Sequence, residues 1–169
     1  IELSDPVQPE SRQPYHDGAG IARSEGPELS RLLASVQAFG RRSVTELMGR
    51  FRGSGTPLQG AGIVVGSLID PGKIANDHIR IHALEGLLYR EVVQDALRRC
   101  ELPCSLWRER DLRPVAHEAL GQKEAQLRGA LRALGRTLPG PWRAEQKSAA
   151  LAAWLVLAGV PLSKASEER

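Results

Sequence analysis

The side chains at positions 78, 82 and 85 carry the spacing most suggestive of chemistry. His78 and His82 are four residues apart and Glu85 follows three later, so on a helix all three share one face and make half of a metal site. A third, distant ligand is not evident along the chain, and polar residues on the outer side of an amphipathic helix are the commoner meaning of such a pattern. The same face has another use: His78, Arg80 and His82, on the first turns of a helix, would contact phosphate, helped by the positive end of the helix dipole. Asp70-Pro71-Gly72-Lys73 falls at the C-terminal end of an expected strand, where open α/β sheets place ligands, although Asp-Pro-Gly is more often simply a turn. Arg108, Arg110 and Arg113 gather basic charge beside Glu109, which suits phosphate contact or a solvated edge equally. Cys100 and Cys104 are the only cysteines; without further ligands at finger spacing they read as free thiols. No P-loop or Gly-x-Ser-x-Gly string is present.

The elements that must hold these residues centre on positions 61–110. Gly62-Ile63-Val64-Val65-Gly66-Ser67-Leu68-Ile69 is a continuous apolar run that predicts a strand buried on both faces. Asn76 or Asp77 caps a helix reaching about Cys100, whose Ile81, Leu84, Leu88, Val92 and Ala96 share a side that packs on a sheet. After Leu102-Pro103, the segment Cys104–Trp107 re-enters the sheet, giving a βαβ unit with parallel strands. Upstream, Ile1 to Pro6 suits a short half-buried strand, residues 7–20 have loop composition, Ile21–Arg23 suits a brief strand, and Leu29 to Phe51 reads as helix with a bend at Gly40. Downstream, Pro114 opens a helix to Leu120, a second runs to about Gly135, and a last one spans Trp142 or Arg143 to Ala158. Trp142 and Trp154 are expected to pack rather than to stack on bases.

The 169 residues favour one domain, here 1–162 followed by a polar tail at 163–169. With 41% hydrophobic residues but only 4% aromatic, the core is built from Leu, Val, Ile and Ala. Net charge is only +3, yet the basic complement is arginine apart from Lys73, Lys123, Lys147 and Lys164. That bias is compatible with nucleic acid, and equally with a GC-rich genome. No apolar run approaches the ~20 residues of a membrane helix and the N-terminus is polar, so the expectation is a cytoplasmic protein with no membrane partner.

Several strings resemble the Holliday-junction-resolvase-like group, the RuvC and YqgF type, of the RNase H-like superfamily. Ile63-Val64-Val65-Gly66 resembles its "IVVG" strand, and Leu102-Pro103-Cys104-Ser105-Leu106-Trp107-Arg108-Glu109-Arg110 its "LPV-LWDER" strand. Ser4-Asp5-Pro6 is similar to its "SDP" strand end, and Lys147–Ala153 to the "DA-AA" start of its final helix. The resemblance spans nearly the whole chain and implies a mixed five-stranded sheet flanked by helices. It also implies hydrolysis of phosphodiester bonds in structured DNA or RNA by carboxylates that hold Mg2+ or Mn2+, with a homodimer one arrangement open to it. Glu109 matches the acidic position of "DER", while Arg108 stands where that string has Asp. Ser148 stands where the final helix has Asp, with Glu145 three residues earlier as the substitute. Asp5 is a ligand if Ile1 to Pro6 is the first strand; if "SDP" is the second, which matches better, the first strand and its Asp are missing. Catalytic candidates are therefore Glu109, Asp5, Asp70 and Glu145, of which Glu109, Asp5 and Glu145 are the expected metal ligands. A relative that kept the fold and lost the acids, binding nucleic acid or protein without cutting, is the alternative.

Overall fold

Pro27 and apolar residues at three- and four-residue steps start the first helix, α1 (Pro27–Gly53), in a computed structural model that describes residues 2–17, 21–23 and 25–160. Leu29, Leu32, Val36, Gly40, Val44 and Met48 are its buried face. The next helix, α2 (Asp77–Arg99), is capped by Asn76, whose Oδ1 accepts the Ile79 N–H at 3.0 Å, and buries Ile81, Glu85, Leu88, Val92, Ala96 and Leu97. These two faces pack on each other: Val36, Leu88 and Val92 form a cluster joined by Tyr15, Leu33 and Tyr89. This face of α2 therefore meets a helix and not the expected sheet; periodicity reports that a side is buried, and a helix partner satisfies it as well as a strand does. Each fully buried Leu, Ile or Val contributes roughly 1.5–3 kcal/mol. The exposed ion pair between Arg41 and Asp95 (3.5 Å) is worth at most about 1 kcal/mol, so apolar packing holds the helix pair.

Parallel strands β1 (Ala61–Val65) and β2 (Cys104–Arg108) pair in register from Ala61 opposite Cys104 to Val65 opposite Arg108. Three helices follow β2: α3 (Glu109–Leu120), α4 (Glu124–Thr137) and α5 (Ala144–Leu157). Trp107, Leu112, Ala116, Leu127, Leu131, Leu151, Ala152 and Leu155 make their common core. The Ala-rich body of α5 lies flat on β1, where a β-carbon on Gly62 would sit 3.0 Å from that of Ala152. Trp142 packs over Gly135 and Trp154 packs on the core, as expected of them. By their internal contacts the residues divide into two units, Ile1–Leu58 with Ser67–Leu102 and Gln59–Gly66 with Pro103–Arg169.

The protein is thus a mixed α/β chain, mostly helical, with a two-stranded parallel sheet among the described residues. Local hydrogen bonds explain where expectation and structure part. β1 ends at Val65 and is half-buried rather than buried on both faces; Ser67 Oγ captures the Ile69 N–H at 3.1 Å, Asp70 Oδ1 that of Gly72 at 2.9 Å, and Ile69 turns out to solvent. Residues 2–6 form no strand, because Asp5 Oδ1 accepts the Val7 N–H at 2.9 Å and the Ser11 hydroxyl binds the Asp5 backbone, folding the segment into turns; Ile1 lies outside the described residues. A 3₁₀ turn follows at Pro9–Arg12, and Ala22 pairs with His16 in one antiparallel bridge. α3 begins at Glu109, not Pro114, with the Arg108–Asp111 ion pair across its first turn and Leu112 and Ala116 buried. The expected tail at 163–169 lies outside the described residues, as do 161 and 162. No described helix is long and apolar enough to cross a membrane.

Candidate functional sites

Two places gather chemistry-bearing side chains, one in each unit. In the first unit the loop before α1 delivers His16 to the start of α2. The guanidinium of Arg23 staples that loop, donating from Nε to the Pro14 carbonyl at 3.1 Å and from Nη2 to the His16 carbonyl at 2.8 Å, and pairing with Glu28 at 2.8 Å. Tyr89 holds it from α2, its hydroxyl within 2.8 Å of the Ser11 carbonyl and 2.9 Å of that of Arg12. His78 and His82, one turn apart on α2, bring their Nε2 atoms to 3.3 Å. One ring nitrogen each of His16, His78 and His82 lies within 4.8 Å of the others, the one such convergence of three metal-type ligands among the described residues.

Glu85 stands behind two of the rings, those of His16 and His82, with its side chain only 9% exposed. His16 Nδ1 is 3.0 Å from its Oε1 and His82 Nδ1 is 3.5 Å from its Oε2. With its proton on Nδ1 the His16 ring donates to the carboxylate; His82 Nδ1 lies at ion-pair distance from the other oxygen, and its Nε2 shares a hydrogen bond with His78 Nε2. Burial, then the charges of Glu91 and Glu85, raise the Tyr15 phenol above its ordinary range; burial, then Glu85 and Glu2, raise Tyr89 against a weaker pull from Arg12. The sequence shows the pair on α2 and the glutamate but not His16, which sits in a loop defined by its prolines and glycines. The available signal was the histidine count: with four in the chain, only His16 and His117 could complete the set.

In the second unit, Glu109 is an exposed residue at the junction of β2 and α3, and its Oε1 accepts the Ser148 hydroxyl proton at 3.2 Å. Glu145 lies in the first turn of α5. Arg108 and Arg110 pair with Asp111, the second at 3.7 Å, and Arg113 pairs with Glu124 at 2.7 Å. Asp5 and Asp70 belong to the first unit, where each has an oxygen committed to a neighbouring backbone N–H. Arg80 pairs with Asp77 at 2.6 Å beside the histidines.

Magnesium and manganese need several oxygen ligands on one point. At Glu109 the described side-chain partner is one hydroxyl, and no three carboxylates of either unit converge among the described residues, so the donor set does not fit such an ion. The histidine cluster has the opposite character, nitrogen donors with a carboxylate behind them. Comparison of the chain with models of known families, with curated proteins and with solved structures finds no match.

Proposed function

We propose that this chain is an RNase H-like relative of the resolvase-like nucleases that binds structured nucleic acid without cutting it. The observation that carries the reading is the hydrogen bond between Glu109 and Ser148 at 3.2 Å. The two residues come from the two strings, at the end of β2 and the start of α5, on which the resemblance rests. They meet at the C-terminal end of a parallel strand, where α/β proteins bind ligands. A hydroxyl beside Glu109 in place of a second carboxylate removes the charge that would hold a divalent ion. The nearby guanidiniums of Arg110 and Arg113 are exposed and matched only by surface carboxylates, which cost little to exchange for phosphates.

The test is binding of a fluorescent four-way DNA junction and a structured RNA over a salt series, with Mg2+ or Mn2+ present or absent. The expected result is retention without cleavage, and a shallower salt dependence for Arg110→Ala/Arg113→Ala, the slope falling by about 1 for each arginine that no longer meets a phosphate. No retention of either substrate would overturn the reading. Metal-dependent cleavage abolished by Glu109→Gln would replace it with the nuclease itself, for which the surviving Glu109 carboxylate and Glu145 nearby in sequence to Ser148 speak.

A further inference from the structure

We infer that His16, His78 and His82 bind one divalent transition ion of the zinc class, through three imidazole nitrogens and an exchangeable fourth ligand. The inference is independent of the nucleic-acid reading. Tetrahedral bonds of ~2.0–2.1 Å from zinc to nitrogen require nitrogen atoms about 3.3 Å apart. The Nε2 atoms of His78 and His82 already stand at 3.3 Å, and the third donor completes a group spanning no more than 4.8 Å. The rings crowd without stacking: those of His78 and His82 meet edge to face at 4.6 Å between centroids, and that of His16 tilts to His82 at 5.2 Å.

Glu85 supplies what a ligand histidine ordinarily has, an acceptor for its second N–H that fixes the tautomer and raises ring basicity. The one carboxylate meets His16 Nδ1 at 3.0 Å and His82 Nδ1 at 3.5 Å, while His82 Nε2 is turned to His78 Nε2. Without an ion the 3.3 Å contact between His78 and His82 is a hydrogen bond in which one Nε2 carries the proton; the ion would take that proton's place. Nitrogen donors select zinc, cobalt, nickel or copper over magnesium and calcium, which take oxygen. His16 is the inner ligand with its side chain 16% exposed, while that of His82 is 51% exposed, so the open side of the site faces solvent and water takes the fourth position.

The experiment is calorimetric titration of the full chain, stripped with EDTA, with Zn2+ and separately Mg2+, and an optical titration with Co2+. One Zn2+ per chain, no Mg2+ response, and the intense visible absorption of tetrahedral Co2+ are expected. Glu85→Gln should weaken Zn2+ about 10–100-fold, and His16→Ala more than that outer-sphere loss. Absence of saturable Zn2+ binding, or His16→Ala binding as well as the unaltered chain, would overturn the site; the second outcome would leave the ion on the α2 pair alone. Circular dichroism without metal checks that each variant folds. Should His16→Ala not fold, His16→Gln takes its place, and an octahedral Co2+ spectrum in the unaltered chain would by itself refute a three-histidine tetrahedral site.

Discussion

Gly40 of α1 and Val92 of α2 approach so closely that a β-carbon on Gly40 would lie 2.5 Å from Val92 Cγ1. The glycine therefore sits in mid-helix at a contact that a larger residue would crowd, and it sets the separation at which the helix pair closes. Gly40→Ala gains about 0.5–1 kcal/mol of helix propensity. Against that stands an overpacking cost of about 1–3 kcal/mol, because the branched Val92 has one favoured rotamer in a helix and cannot swing aside. The expected net loss is about 1 kcal/mol in urea denaturation. Val92→Ala should relieve it, so that the double variant is less destabilised than the two single losses combined; strict additivity would mean that the two residues do not touch.

Part of this seam is legible in the sequence and part is not. Both helices, the capping Asn76, the two parallel strands and the Ala-rich last helix follow from apolar periodicity and caps, which are local signals. What periodicity cannot give is the identity of the partner, so the buried side of α2 reads as sheet-facing although it lies on α1. The histidine site shows the same limit. His78, His82 and Glu85 stand out because one helix spaces them, whereas His16 is 62 positions upstream of His78 in a loop whose path depends on Arg23 and Tyr89, and only tertiary contacts bring it in. Glu109 does stand at a strand end as its string implies, but Asp5 and Asp70 are turn residues, their carboxylates closing local backbone hydrogen bonds.

Metal should be visible as stability. An ion that binds only the folded chain adds about 2.7 kcal/mol at a hundredfold excess over its dissociation constant. For a chain of this length that corresponds to a rise of about 5–11 °C in Tm. The rise should be seen with Zn2+, be reversed by EDTA, and shrink in Glu85→Gln. It should also fade on acidification, because protons compete for the ring nitrogens. A Tm indifferent to Zn2+ in differential scanning fluorimetry would contradict this.

Ser148→Asp should turn the Glu109 pair into a pair of like charges. In EDTA the variant is expected to lose up to about 1 kcal/mol, the repulsion of exposed charges at contact distance in water. Mn2+ should restore that loss by bridging the two carboxylates, and Glu109→Gln added to Ser148→Asp should abolish the response. Thermal melts with and without Mn2+ decide; an unchanged response in the double variant would place the ion elsewhere.

Alkaline pH should weaken the fold. Burial raises the Cys104 thiol above its ordinary value of 9.0, and burial with nearby glutamates raises Tyr15 and Tyr89 above 10.0. In each case the folded chain holds its proton more tightly than the unfolded one. Their contribution is complete below about pH 9 and is lost as pH rises through the raised folded values. Urea midpoints should therefore fall as pH rises above about pH 9, and Cys104→Ala should remove the earliest part of the fall. A flat profile there would contradict the assignment.

The chain is braided rather than serial. β1 is flanked on both sides by segments of the first unit yet belongs to the second, and its hydrogen-bonded partner is not made until α2 has been completed. During synthesis β1 emerges with a bare edge and must wait for β2, a closure of the kind that slows parallel pairing and invites association with other strands. No single cut separates the halves: a fragment stopped at residue 102 would carry the orphaned strand with it.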